Sequence, residues 1–314
     1  MECIKRLIVW LRALRLSQWT KNLLIPAAWL FALGDPGQRA MASGWRPVLL
    51  MLGMFGSFCL ISSAFYLLND VRDISSDRLH PVKRFRPIAA SLISIRAARV
   101  MSAFLLVLGF IPSLVMFLRH IDRWPMLAVV IAYSAMQLCY TGFLKRLPYV
   151  DVIVIASGFV LRAIAGTTVL GVRLSPWLLL CAFSLSLFLA LCKRRHEKLL
   201  CEESRPALKM YHLPTIDMLI ASSAMVTLSV YVAYTLVPST IARYECGGAL
   251  SLTAIPVALG LVRYLWLTYS LADVGRPDKL LLSDKIMWLV LVCYAIIAAL
   301  VVLPNGIGIV GGIL

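Results

Sequence analysis

Uncharged apolar stretches recur along this chain at residues 47–68, 100–118, 124–144, 174–192, 218–242 and 286–314. Each is long enough to cross the roughly 30 Å hydrocarbon core of a bilayer as a helix. In lipid the backbone must satisfy its own N–H and C=O groups, so stretches of this kind fold as helices. Two further stretches, 152–172 and 246–272, each hold one charge, Arg162 and Arg263. The shortest, 22–34, becomes a span only if 14–21 extends it. The expectation is an all-α, polytopic membrane protein with nine transmembrane helices around a central cavity open to the cytoplasmic side. Composition agrees: 15% of the residues are charged, where a soluble domain would carry about 25%.

A net charge of +16 raises the question of a nucleic-acid partner, and the placement of the charges answers it. With the N-terminus inside, the cytoplasmic segments hold 23 of the 31 Lys and Arg residues and the opposite loops hold six. That asymmetry is the positive-inside pattern, with an odd number of spans and an external C-terminus. The basic excess is a topology signal, with a remainder for anionic lipids or substrates, and no nucleic acid is expected. Residues 1–16 read as a basic, amphipathic interfacial helix, and no cleavable signal peptide is apparent. The eight cysteines are scattered without paired spacing, which argues against a disulfide or zinc framework.

The chain reads as a single transmembrane domain over 1–314. Its two most charged loops, 69–99 and 193–212, follow the second and sixth spans. That four-helix separation suggests an internal repeat. Chemistry is therefore expected on the cytoplasmic side of a multi-pass protein of the inner (plasma) membrane.

The densest polar cluster runs Asn69-Asp70-Val71-Arg72-Asp73-Ile74-Ser75-Ser76-Asp77 and leads into the basic run Lys83-Arg84-Phe85-Arg86-Pro87. If the second span continues as helix past Leu68, Asn69, Asp73 and Asp77 stack at i, i+4 and i+8 on one face. Oxygen ligands in this arrangement suit a hard cation such as Mg2+, which takes one or two carboxylates and completes its shell with phosphate oxygens and water. Asn69, Asp70, Asp73 and Asp77 are the candidate metal ligands, and Lys83, Arg84 and Arg86 are candidates for the remaining phosphate oxygens. A solvated helix end and a topology-setting basic loop are the plainer alternatives.

N-x-x-x-D-x-x-x-D after the second span, followed by a basic loop, resembles the first aspartate-rich motif of the UbiA-type intramembrane prenyltransferase superfamily. Gln18-Trp19-Thr20-Lys21-Asn22, Asn69-Asp70-Val71-Arg72-Asp73, Lys83 to Ala89, Asp151 to Gly166 and Gly275-Arg276-Pro277-Asp278 resemble its branch of decaprenyl-phosphate phosphoribosyltransferases. The resemblance implies nine helices and a Mg2+-diphosphate substrate, with Asp73 and Asp77 as the catalytic carboxylates. It departs at one place. Aromatic prenyltransferases of this fold carry a second D-x-x-x-D after the sixth span, whereas this chain has Lys193-Arg194-Arg195-His196-Glu197-Lys198. A basic second site suits a reaction with more anions, such as phosphoribosyl diphosphate with a polyprenyl phosphate. Lys193, Arg194 and Glu197 are placed at that site, and Gln18, Lys21 and Asn22 near the lipid phosphate.

Intramembrane ionisable residues carry a functional default. Arg162 is expected to meet phosphate or an acidic partner, although Asp151 lies three turns away. Arg263 is open between a structural pairing and a substrate role. Tyr140 and Tyr211 read as interfacial anchors, and His80 and His196 lack metal-ligand spacing.

The function expected is Mg2+-dependent transfer of a 5-phosphoribosyl group to a polyprenyl phosphate in cell-envelope biosynthesis, releasing diphosphate. The alternative is a prenyltransferase acting on an aromatic acceptor such as 4-hydroxybenzoate. A transporter or lipid-binding scaffold is the rival from another class, disfavoured by the clustered carboxylates. The partners are the two substrates and the bilayer; whether the chain forms a homo-oligomer stays open.

Overall fold

The structure, a computed structural model, describes residues 2–200, 206–244, 248–270 and 284–302. Every regular element among them is helical. In chain order the helices are α1 (Glu2–Leu14), α2 (Leu24–Gly34), α3 (Arg39–Ala42), α4 (Trp45–Arg72), α5 (Ile74–Leu79), α6 (Ile95–Arg119), α7 (Trp124–Gly142), α8 (Val150–Leu170), α9 (Pro176–Leu200), α10 (Pro206–Lys209), α11 (Leu213–Leu236), α12 (Pro238–Tyr244), α13 (Ala254–Ser270) and α14 (Lys285–Val302). Short 3-10 turns lie at Leu16–Leu23, Lys83–Phe85 and Leu144–Arg146.

Among the described residues, eight helices are long and apolar enough to cross a membrane: α4, α6, α7, α8, α9, α11, α13 and α14. The protein is a multi-pass membrane protein. The expected first span is instead the 3-10 turn Leu16–Leu23 followed by the 11-residue α2. The turn carries Gln18, Thr20, Lys21 and Asn22, and Thr20 Oγ1 donates to the Ser17 carbonyl within it. Two other boundaries differ from expectation. The helix past Leu68 does not run on to Asp77. It breaks at Asp73 (φ −97°, ψ 11°) and restarts as α5. The stretch 218–242 is cut at Val237 (φ −64°, ψ 131°), because the ring of Pro238 disfavours helical geometry in the residue before it. The expected segments 275–278 and 303–314 lie outside the described residues.

The chain divides into two compact units. The first comprises Met1–Ala28, Gly44–Gly171 and Cys201–Met210. Its centre is α4, packed against α6, α7 and α8. Small residues bring these helices close, as is usual where lipid supplies no hydrophobic drive for helix association. A Cβ on Gly109 of α6 would stand 2.7 Å from Ile61 Cγ1 and 3.2 Å from the Ser57 carbonyl oxygen on α4. Ser102 Oγ donates to the Ala64 carbonyl at 3.0 Å. Ala13, Ala64, Leu67, Ile88, Ile93, Ala98 and Leu105 form a buried cluster beside them. Gly166 of α8 lies against the Ile25 carbonyl and the Ala28 methyl group.

The second unit comprises Trp29–Ser43, Val172–Leu200 and Tyr211–Leu314. Here α9 packs on α11 and α13 on α14. Phe188 and Tyr264 meet edge to face at 5.6 Å. Tyr234, Leu250, Val301 and Val302 form its buried cluster, with Phe31 and Trp177 packed against it. Gln38 Oε1 accepts from the Arg173 backbone N–H, which ties the turn before α3 to the start of the Val172–Leu200 segment.

Candidate active site

The acidic side chains gather at the end of α4 in the first unit. The Asp73 N–H donates to the Asn69 carbonyl at 2.9 Å, and the Asp77 N–H to the Asp73 carbonyl at 2.8 Å. The helical repeat thus survives the break, and Asn69, Asp73 and Asp77 keep their order. Their oxygens are met by basic groups from three other segments. Lys145 Nζ, from the turn between α7 and α8, lies 2.8 Å from Asn69 Oδ1 and 2.5 Å from Asp73 Oδ1. Arg86 Nη1 lies 3.0 Å from Asp70 Oδ1 and 2.7 Å from Asp77 Oδ2. Arg15, just after α1, also donates to Asp70 Oδ1. Four oxygen donors therefore form two pairs, each bridged by one cationic nitrogen.

Local geometry aims these groups. Arg15 adopts a left-handed conformation (φ 54°, ψ 51°), a strained state for a non-glycine residue that persists only where its surroundings hold it. Its guanidinium also stacks over Tyr66. Burial pulls the Arg15 guanidinium below its ordinary pKa, and the neighbouring Asp70 opposes that shift. Arg78 anchors the basic loop by donating to the Ala89 carbonyl and to Ser91 Oγ. His80 Nδ1 accepts from the N–H groups of Val82 and Lys83, so this histidine caps the turn Lys83–Phe85. Arg86 reaches the carboxylates, while the exposed Arg84 lies over the Phe85 ring.

A second, neutral network surrounds Arg162, which is 4% exposed within α8. Its Nε donates to Asn22 Oδ1 at 2.7 Å, its Nη1 to the Gly158 carbonyl at 2.8 Å and its Nη2 to the Tyr133 hydroxyl at 2.8 Å. Gln137 also donates to Tyr133, so the single hydroxyl proton of Tyr133 goes to Ser62 Oγ at 3.1 Å. Arg162 lies between the rings of Tyr133 and Phe159. Its bonds here go to uncharged acceptors, and no acidic side chain is among them. Asn22, expected near the lipid phosphate, bonds Arg162 and Cys59. Gln18 lies in the same turn, its backbone N–H bonded to the Arg15 carbonyl, and Lys21 follows in that turn.

In the second unit, α9 carries the basic run. Buried Arg194 pairs with Glu197 one turn on. Arg195 Nε donates to Asp217 Oδ1 at 2.7 Å, its Nη1 to the Thr268 carbonyl at 3.3 Å, and its guanidinium covers the Tyr269 ring at 4.1 Å. Tyr269 also donates to Asp217. Lys193 stands beside Arg194 in the same helix. Arg263 makes a two-point contact with Asp284, at 3.2 and 2.6 Å. That hydrogen bonding holds the Asp284 carboxyl below its usual range.

Sequence reading did not single out Arg15, Lys145, Tyr133 or Asp217. Lys145 was visible only as a loop charge counted toward topology. Asp217 had a faint signal as an isolated carboxylate at the mouth of an apolar helix. Nothing marked Tyr133, an ordinary aromatic in a span.

The chain matches the model of the UbiA prenyltransferase family over residues 23–290. The chain belongs to that family. It is 33% identical over 302 residues to the decaprenyl-phosphate phosphoribosyltransferase of Corynebacterium glutamicum, covering 94% of this chain and 87% of that protein. The Mycobacterium tuberculosis protein of the same name is 35% identical over 292 residues, covering 88% and 89%. A UbiA homolog from Archaeoglobus fulgidus, solved bound to GPP and Mg2+, superposes with a TM-score of 0.67 at 18% identity, covering 94% of this chain and 96% of that one. The resemblance expected from the sequence is thus borne out, and this UbiA family member is a transferase.

The oxygen cluster also meets the chemical requirement of a divalent metal. Its donors are carboxylate and amide oxygens, the hard ligands that Mg2+ selects. Each pair already accommodates a cationic nitrogen. Among the described residues no three His, Cys, Asp or Glu side chains form a ready-made metal cage.

Proposed function

We propose that this UbiA family member transfers a 5-phosphoribosyl group from phosphoribosyl diphosphate to a polyprenyl phosphate of the decaprenyl type. The observation that carries the reading is the set of four oxygen donors at the end of α4, framed by Arg15, Arg86 and Lys145. The names of the relatives direct it to this donor and acceptor.

In the transfer, the bond from ribosyl C1 to the diphosphate oxygen breaks and a bond from C1 to a lipid phosphate oxygen forms. Diphosphate leaves with the bonding electrons. Asn69, Asp70, Asp73 and Asp77 would hold Mg2+, which when bound supplies charge neutralisation on the leaving diphosphate. Arg86 and Lys83 lie on the loop following the carboxylates and offer phosphate contacts from the same side. The acceptor phosphate is already anionic, so the chain's task is to position it rather than to remove a proton. The basic run of α9, which includes Lys193, supports a reaction with more than one phosphate-bearing substrate. The asymmetric distribution of Lys and Arg supports a single transferase domain in the plasma membrane with its acidic cluster on the cytoplasmic side.

The purified protein, given labelled phosphoribosyl diphosphate, should consume it only when polyprenyl phosphate is present, yielding diphosphate and a phosphoribosylated lipid. Transfer of a prenyl group to a phenolic acid, with phosphoribosyl diphosphate ignored, would replace this reading with the aromatic prenyltransferase alternative.

A further inference from the structure

Lys145 occupies an unusual position for a loop lysine. It is 6% exposed, and its one nitrogen touches both Asn69 Oδ1 and Asp73 Oδ1. A lysine ammonium is a compact point charge with three donors on a flexible stem. It therefore resembles a small cation in what it can bridge and in its freedom to withdraw. The turn that presents it is followed by Tyr149 in a positive-φ conformation (φ 64°, ψ −37°), the strained kind of backbone that clusters at sites which must hold a fixed shape.

The pair it bridges is the more open of the two. The Asp73 side chain is 17% exposed, against 2% for Asp70. Charge then sets the terms on which a metal can enter. Asp70, Asp73 and Asp77 each already meet a cationic group, from Arg15, Arg86 or Lys145. A divalent cation entering alone would meet that positive charge in a poorly screened pocket. A cation arriving with diphosphate brings its own neutralisation.

We infer that Lys145 is a resident counter-ion standing in the metal's place between Asn69 and Asp73, and that it yields this place only to a metal ion accompanied by diphosphate. The inference rests on Asn69 and Asp73 being metal ligands, as proposed above. Lys145 thereby acts as a positioning residue that couples metal entry to substrate entry.

Mn2+ binding to the detergent-solubilised protein tests this, followed by the loss of the free-ion resonance with and without inorganic diphosphate, each against a protein-free sample because diphosphate itself complexes Mn2+. The wild-type chain should bind Mn2+ weakly alone and more tightly with diphosphate. Lys145→Gln should bind Mn2+ alone on the order of tenfold more tightly than wild type, because one opposing unit charge beside the ion has gone. Lys145→Arg, which keeps the charge, should behave as wild type, and Asp73→Asn should leave the free-ion resonance undiminished by protein in every background. Equal Mn2+ affinity in wild type and Lys145→Gln, with diphosphate still required, overturns the inference and leaves the metal site standing. No binding by either protein even with diphosphate overturns both. Wild-type protein that binds Mn2+ alone as tightly as with diphosphate also refutes it, an arm that needs no variant to fold.

Discussion

Asp73 and Asp77 differ in how much of the fold depends on them. Asp77 is buried and takes Arg86, while Asp73 is more open and takes Lys145. Replacing either by Asn should lower turnover on the order of a hundredfold or more, the usual scale for losing a charge-stabilising group at a reacting phosphate. Unfolding in detergent should register Asp73→Asn at least as much as Asp77→Asn, because Arg86 keeps Asp70 as a second carboxylate while Lys145 is the more buried cation. Near-normal turnover in either variant, with unchanged Mg2+ dependence, would show the cluster to be only a charged helix end. Arg162 calls for a separate expectation. Tyr133→Phe removes one acceptor shared by Arg162 and Gln137 and should cost roughly 1–3 kcal/mol of stability. Arg162→Gln should cost more, and Arg162→Lys should not restore it, since an ammonium cannot reach three acceptors in the guanidinium's fixed directions. A Lys variant with wild-type stability would sink that account.

At the level of helices, close approach decides which small residues matter. Gly109→Ala would drive a methyl group into Ile61 and the Ser57 carbonyl, and overpacking of this kind costs about 1–3 kcal/mol. Gly53→Ala, on α4 with no atom within 4 Å of the added carbon, should change stability by less than about 1 kcal/mol and in the favourable direction. Thermal unfolding of the two variants side by side checks the α4–α6 contact, and equal effects would refute it. On α9 the neighbours Lys193 and Arg194 are not equivalent, because Arg194 is buried with Glu197. Lys193→Gln, at a half-buried position, should therefore disturb packing less than Arg194→Gln. The KM for donor or acceptor should rise about tenfold, the worth of a charge-assisted hydrogen bond, while the Mg2+ optimum stays fixed. A shifted metal optimum with unchanged KM would contradict this assignment.

Across the molecule, the distribution of Lys and Arg predicts that the ends of α4 and α9 face the same side of the membrane. Ser75→Cys and Leu199→Cys, in a chain whose native cysteines are replaced, should react with a membrane-impermeant thiol reagent only from the cytoplasmic face. Labelling from outside would invert the topology and move the proposed site with it.

Membrane class, helical content and the positions of most spans were legible in the chain because hydrophobic length and charge asymmetry are local properties, readable without knowing any contact. The order of Asn69, Asp73 and Asp77 was legible too, since it follows a helical repeat, but the break at Asp73 and the sharing of Arg86 by Asp70 and Asp77 were not. Nor were the partners of those carboxylates. Arg15, Arg86 and Lys145 lie 55, 16 and 72 positions from the carboxylates they meet, and no sequence period connects groups brought together only by helix packing. The same holds for Arg162. Its place in a span marked it as costly, but only tertiary structure chose uncharged acceptors for it, since a buried guanidinium takes whatever oxygens the neighbouring helices place within reach.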